Sequence, residues 1–123
     1  MINNKGKAID FSYLIEMVGD DPAFLIEFFE TFTEHAPIYL AEMENALANQ
    51  NWNEVANCAH KIKPTFSYIG RNDVKELVRA IEDNARDQTA GEKIKSDVEK
   101  LKLLCADIFQ QLEVEKIKLI SQL

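Results

Sequence analysis

The sequence predicts an all-α protein, an up-and-down four-helix bundle with a short additional N-terminal helix. Apolar residues recur every three or four positions along most of the chain, and no segment alternates with a period of two. Only 4 glycines and 3 prolines occur in 123 residues, which leaves little material for long loops. We therefore expect a single domain over residues 1–123, with a core at about 10–112 and an extension of the last helix at 113–123.

Residues that start helices mark the first two elements. Asp10 is the expected cap of a short helix at 10–18. The side chains expected to face the core from this helix are Phe11, Leu14, Ile15 and Val18. Asp21 caps a second, long helix, within which Pro37 removes one backbone donor without shifting the phase of the apolar residues. We interpret this stretch as one helix with a kink near Thr33, and not as two helices.

Capping and apolar patterns also define the last three helices. The third begins after Asn51, the expected cap in "NWNE", and ends at Gly70, which can adopt a left-handed conformation. The fourth helix is expected over about 73–88. A second capping box, "TAGE" at 89–92, opens the last helix. Its core-facing residues repeat like a heptad: Ile94, Val98, Leu101, Cys105, Ile108 and Leu112.

Composition and charge exclude several classes of function. The net charge of −7 argues against general binding to nucleic acid or to an anionic membrane. No run of about 18 apolar residues occurs, and the N-terminal residues lack the apolar segment of a signal peptide, so we expect a cytoplasmic protein. Cys58 and Cys105 match no metal-binding spacing and are expected to be reduced, packed thiols.

His60 lies in a locally basic part of this acidic chain. The expected core stripe of its helix is Val55, Ala59, Ile62, Phe66 and Ile69. His60 is rotated by about 100° from the nearest residue of that stripe. It is therefore expected to be exposed, in a polar row that includes Lys63, Ser67 and Arg71, with Lys61 beside it.

This row has side chains suited to handling a phosphoryl group. An exposed imidazole is largely neutral at pH 7 and can act as a nucleophile. Lys63, one turn after His60, can place a positive charge over an anion on the ring, and Ser67 adds a hydroxyl. Pro64 cannot bond the carbonyl of His60, so the helix is expected to bend or open there. From spacing alone, an unreactive surface histidine with chance basic neighbours is the simpler interpretation.

The stretch "AHKIKPTFSYIG" resembles the signature of the histidine-containing phosphotransfer (HPt) domain. In that family a phosphorylated histidine is followed at +3 by lysine and at +10 by glycine, which here are His60, Lys63 and Gly70. The segment "DPAFLIEFFETFTEHAPIYLAEMENAL" also resembles the family's second helix, including its proline. Pro64 departs from the glycine that the family often has after the lysine, and we expect it, with Tyr68, to affect which partner fits.

The resemblance implies a phosphocarrier in a two-component phosphorelay. His60 would accept a phosphoryl group from the aspartyl phosphate of a receiver domain and would pass it to another receiver. Lys63 would stabilise the charge of that group. The residues expected to support them are Ser67, Pro64, Gly70, Lys61 and Arg71.

The same resemblance sets the expected partners, which are response-regulator receiver domains and a hybrid sensor histidine kinase. The receiver would bring its own Mg²⁺, and no cofactor or metal is expected on this chain. Because the sequence has no glycine-rich phosphate loop, we expect no ATP-dependent kinase activity, and we expect a monomer without nucleic acid or direct membrane contact. The alternative is a non-catalytic helical adaptor or dimerisation module with the same bundle fold, associating through the apolar end "IKLISQL".

Overall fold

A computed structural model describes residues 7–89 and 91–123 of the protein. Its helices are α1 (Ser12–Val18), α2 (Pro22–Ala48), α3 (Trp52–Tyr68), α4 (Asn72–Arg86) and α5 (Gly91–Ile120). No strand occurs in the described residues, which confirms the all-α prediction. Within the same ranges, no helix is both long and apolar enough to cross a membrane.

The four long helices enclose the core. α3 packs against α2 and α4, and α5 packs against the same two helices, so that each long helix touches two others around a common interior. The short helix α1 lies against α3. This arrangement is the predicted four-helix bundle with an additional N-terminal helix.

Two of the predicted caps are present. The Asp21 carboxylate accepts a hydrogen bond from the N–H of Ala23 at the start of α2. The Asn51 side chain accepts from the N–H of Glu54 at the start of α3. α2 continues through Pro37 as a single helix, as predicted. These caps fix where the two helices begin, and therefore the phase of the side chains that follow.

The prediction for α1 is wrong in part. The helix begins at Ser12, although the Asp10 carboxylate still accepts hydrogen bonds from the N–H and the hydroxyl of that residue. Of the predicted core-facing residues, Leu14 is buried, whereas Ile15 and Val18 are exposed. A helix of 7 residues that packs against a single neighbour covers only a narrow strip, so most of its apolar side chains stay in solvent.

The last helix is longer than the core requires. Its predicted stripe is buried. The helix then continues to Ile120, with Val114 and Ile117 exposed and Lys116 paired to Glu30 of α2 at 3.7 Å. The predicted capping box at 89–92 includes Ala90, which lies outside the described residues.

Candidate functional site

The imidazole of His60 lies on the outer face of α3. The core stripe of that helix is buried, which holds the histidine on a helix packed against both α2 and α4. The His60 side chain is 66% exposed, as predicted, and its Nδ1 atom lies 3.1 Å from Oε2 of Glu82 on α4. In the part of the chain that the structure describes, Nε2 has no hydrogen-bond partner.

Glu82 connects the basic groups of the site. Its side chain is only 8% exposed, and its Oε1 atom accepts a 2.7 Å hydrogen bond from Nζ of Lys63. Its Oε2 atom, which contacts the His60 ring, also accepts a 3.2 Å bond from Nη2 of Arg86 one turn along α4. One buried carboxylate thus fixes an imidazole, an ammonium and a guanidinium on the same surface.

The environment of Glu82 keeps its carboxylate ionised. Burial raises its pKa, but hydrogen bonds from Lys63 and Arg86 and the charges of Lys63 and His60 together lower it by more, so the pKa is below its ordinary value. An ionised carboxylate accepts hydrogen bonds and donates none. The site therefore contains a fixed negative charge beneath the imidazole and the ammonium.

The sequence interpretation missed Glu82. The residue stands within the apolar face of α4, four positions after Val78 and three before Ala85, both of which are buried. An acid at such a position is rarely buried without a partner. The position of Glu82 in the sequence therefore indicated that its carboxylate has a partner. It did not show which helix supplies that partner.

Lys63 is less exposed than its place in the polar row predicted. Its side chain is 23% exposed, because the ammonium turns toward the buried carboxylate of Glu82 and not toward solvent. The aliphatic part of a lysine commonly packs in this way while its charge is satisfied at the tip. The ammonium of Lys63 is therefore fixed beside His60 by its hydrogen bond to Glu82.

Pro64 and Ser67 lie next to Lys63, as expected. They line a pocket of about 240 Å³ together with Lys63, Tyr68 and Lys75. The helix was expected to bend or open at Pro64; it does not open, because α3 is continuous from Trp52 to Tyr68, and the bend stays a prediction. Core side chains on both sides of the proline hold the helix in place.

Lys61 belongs to a different surface. Its Nζ atom lies 5.9 Å from the centre of the Tyr39 ring on α2, whereas His60 faces α4. Lys61 and Tyr39 line a groove between α2 and α3 that also contains the exposed His35. The structure does not bring Lys61 together with the group around Glu82.

Arg71 is not part of an exposed basic row, and that prediction is corrected. Its side chain is 1% exposed and makes two hydrogen bonds to Asp73, at 2.9 and 3.0 Å, and one to the carbonyl of Lys7 at 3.2 Å. The predicted polar row of α3 includes Arg71, but the helix ends at Tyr68, so its periodicity does not apply to Arg71. Gly70, at φ 72°, turns the chain there and directs Arg71 inward.

Gly70 allows a close backbone approach. A Cβ atom at this position would lie 2.6 Å from the carbonyl oxygen of Asp10. The N–H of Asp10 donates a 2.8 Å bond to the carbonyl of Ile69, which ties the N-terminal segment to the end of α3. The close packing against Asp10 therefore explains why position 70 is a glycine, without a role for Gly70 at His60.

An aromatic and apolar surface adjoins the Lys63 pocket. The ring of Tyr13 on α1 stacks on Tyr68 at 5.7 Å, and Phe28 of α2 meets Tyr68 edge-on at 5.9 Å. Tyr13 and Met17 are about half exposed, with 49% and 54% of their area open to solvent. The α1 residues left outside the core thus form one side of the surface next to the basic group.

The cysteines are free and buried, as predicted. Burial raises the pKa of Cys58 to about 11, with a further contribution from Glu54. The ligand atoms of Glu42, Glu54 and Cys58 lie within 4.8 Å of one another. The Cys58 thiol lies 3.6 Å from Oε1 of Glu54 on its own helix and 4.0 Å from Oε2 of Glu42 on α2, so it can donate a hydrogen bond to either carboxylate.

Comparison with known families agrees with this geometry. The family model of the Hpt domain matches residues 27–115, a segment that contains all of α3 and α4 and most of α2 and α5. The comparisons with curated proteins and with solved structures found no match. The matched segment spans most of the chain, so the protein belongs to the Hpt domain family. Members of that family carry out histidine phosphotransfer in phosphorelays, together with receiver domains and histidine kinases.

Proposed function

We propose that this protein is a phosphocarrier that accepts a phosphoryl group on His60 from the aspartyl phosphate of one receiver domain and passes it to an aspartate of another. The observation that carries the proposal is the exposed ring of His60, fixed at Nδ1 by a buried carboxylate and open at Nε2. Lys63 lies within the same hydrogen-bonded group. A nucleophile and a cation on one rigid surface are what phosphoryl transfer requires of a carrier.

The transfer step needs few groups on this chain. The lone pair of His60 Nε2 attacks the phosphorus, the bond from phosphorus to the receiver aspartate breaks, and its electron pair leaves on the carboxylate. The ammonium of Lys63 offsets charge on the phosphoryl oxygens as they pass between the two proteins. Donation to the second receiver is the reverse of the same step.

The partner surface follows from the charges. A receiver site of this kind brings Mg²⁺ and acidic residues, and the cations Lys63 and Arg86 complement such a pocket. In this proposal neither a metal nor a nucleotide is bound by this chain, which acts as a monomer in the cytoplasm, where its receivers and hybrid kinase present their phosphoaspartates. The exposed side chains Tyr13 and Met17 form the apolar part of the docking surface.

The side chains next to the lysine set partner choice. Pro64 is exposed and Tyr68 is half-buried in the pocket that contains Lys63. Both are rigid and bulky, so a receiver must present a complementary surface there. We propose that they select among receivers without taking part in the transfer.

The direct test is transfer from radiolabelled, phosphorylated receivers. We expect label to move to this protein, and the product to be acid-labile and base-stable, as a phosphohistidine is. A second, unphosphorylated receiver should then remove the label. If receivers bind but no label ever moves, the adaptor alternative is correct and the carrier proposal fails.

A further inference from the structure

Lys75, near the start of α4, is a second lysine next to the candidate site. It is half-buried and lines the Lys63 pocket, to which Ser67 also contributes. In the part of the chain that the structure describes, neither the ammonium of Lys75 nor the hydroxyl of Ser67 has a hydrogen-bond or ion-pair partner. The same residues contain no unpartnered side-chain nitrogen or oxygen that is fully enclosed, so a ligand can reach both groups from solvent.

The charges of the two lysines in this pocket are balanced differently. The ammonium of Lys63 donates a 2.7 Å hydrogen bond to the buried carboxylate of Glu82. Among the described residues, no carboxylate lies within ion-pair distance of Lys75. Two cations that line one pocket of about 240 Å³ repel each other, and partial burial weakens the screening by water. An anion in the pocket would offset this repulsion, and the hydroxyls of Ser67 and Tyr13 are suitable donors to it.

The nearby acidic residues do not supply that anion. Asp10 and Glu16 line an adjoining cavity of about 530 Å³, which shares Lys75 with the Lys63 pocket. The carboxylate of Asp10 accepts two hydrogen bonds at the start of α1, and within the described ranges neither acid is ion-paired with Lys75. An anionic ligand is therefore expected on the Lys63 side of Lys75, away from these carboxylates.

We propose that the Lys63 pocket is a second contact for the docked receiver, in which Lys75 binds a carboxylate on the receiver surface. The inference rests on the proposed function and adds a binding residue that takes no part in the chemistry. Ser67 lies seven residues after His60 on α3, which is about 10 Å along the helix axis. An anion beside Ser67 and Lys75 is therefore a different group from the phosphoryl group on the His60 ring.

The chemistry of the partner supplies that anion. In the proposed complex, further acidic residues surround the phosphorylated aspartate of the receiver, and a carboxylate at the edge of that acidic site complements Lys75. Contacts at an edge chiefly affect how readily a complex forms, whereas Lys63, beside the ring, acts on the charge of the transferred group. Lys75 is therefore expected to set the receiver concentration at half-saturation, and Lys63 the rate at saturation.

The first test measures the initial rate of transfer from a phosphorylated receiver over a range of receiver concentrations. We expect Lys75→Gln to raise the concentration at half-saturation about fivefold, as for the loss of one partly exposed ion pair, and to leave the rate at saturation within about twofold of wild type. The increase should shrink as salt is added, because salt screens the contact in the wild type. Lys75→Arg keeps the positive charge and should restore most of the wild-type affinity.

Lys95→Gln is the matched control, because Lys95 is exposed on α5 and, within the described residues, is not ion-paired. It removes the same charge at a position outside the pocket and should leave both kinetic values unchanged. An equal increase at half-saturation in Lys95→Gln and Lys75→Gln, or no increase in either, overturns the inference. A lower urea midpoint of Lys75→Gln with unchanged kinetics also overturns it, since Lys75 would then have a partner within the protein.

The second test needs no receiver and uses sulfate, an unreactive divalent oxyanion. Sulfate is added to isotope-labelled protein while sodium chloride is adjusted to keep the ionic strength constant. We expect saturable NMR shifts of the Ser67 and Lys75 amide signals in the wild type and in Lys95→Gln, and none in Lys75→Gln. If the wild type shows no saturable shift, or if Lys75→Gln shows the same shift, the pocket is not an anion site and the inference fails.

The two tests separate this inference from the proposed function. If sulfate binds as expected while no receiver transfers phosphate, the carrier function and the receiver carboxylate both fail, and the anion site stands. If receivers transfer phosphate with the same half-saturation to wild type and to Lys75→Gln, the carrier function stands and the role of Lys75 fails.

Discussion

The close approach at Gly70 predicts a large loss of stability for Gly70→Ala. Alanine in the left-handed conformation required by φ 72° costs about 1 kcal/mol or more. Its Cβ atom would lie 2.6 Å from the carbonyl oxygen and 2.7 Å from Cβ of Asp10, so the N-terminal segment has to move. That movement disrupts the 2.8 Å bond between Asp10 and Ile69, which is worth about 1 kcal/mol.

Repacking adds about another 1 kcal/mol, so we expect Gly70→Ala to lower the free energy of unfolding by about 3 kcal/mol. Gly19→Ala is the matched control. Gly19 has φ 91° and ψ 178°, and a Cβ atom there has no neighbour within 4 Å, so this variant should show only backbone strain, about 1 to 3 kcal/mol, without a steric contribution.

The measurement is urea unfolding followed by far-UV circular dichroism, with both variants and the wild type under the same conditions. A loss of about 1 kcal/mol or less in Gly70→Ala would refute the steric part of the reasoning. Gly70 is also ten residues along the chain from His60, about 15 Å at the rise of a helix. Molecules of Gly70→Ala that remain folded should therefore accept phosphate at the wild-type rate.

Three further predictions concern other side chains. Lys63→Ala should slow phosphate acceptance more than tenfold, yet lower stability by only about 1 kcal/mol, because its partner Glu82 keeps Arg86; unchanged transfer kinetics would remove it from the site. Arg71→Lys should lower the free energy of unfolding by about 2 kcal/mol in urea, because a lysine ammonium cannot reproduce the pair of hydrogen bonds that the guanidinium donates to Asp73. An unchanged free energy of unfolding would contradict the importance of this buried contact. Cys105, whose pKa burial raises to about 12, should react with a thiol reagent only in denaturant, and prompt labelling of the native protein would contradict this.

Helical periodicity was sufficient to predict most of the fold. The stripe of α3 is set by packing on both sides of the helix, so each predicted member is buried and His60 is exposed. The prediction for α1 was wrong in part because its 7 residues contact only one neighbouring helix. The sequence pattern does not show how much of the surface of a short helix is covered. Periodicity gives the direction of a side chain but not the extent of the surface that faces it.

The site was predicted less completely than the fold. Arg71 was misplaced because a helical row does not continue past a left-handed residue such as Gly70. Glu82 was missed because its contacts with His60 and Lys63 join two helices, and pairing across helices depends on their relative rotation. Residues on one helix could therefore be placed from the sequence, whereas the carboxylate that organises them could not.

The central claim is that His60 carries the phosphoryl group, and His60→Gln tests it most directly. Glutamine is similar in size but has no nucleophilic nitrogen, and the position is exposed, so stability should change by less than about 0.5 kcal/mol. The measurement is the label transferred from a phosphorylated receiver to wild type, to His60→Gln and to His35→Gln, which alters the other exposed histidine. We predict transfer to wild type and to His35→Gln and none to His60→Gln; label on the His60→Gln protein would contradict the account.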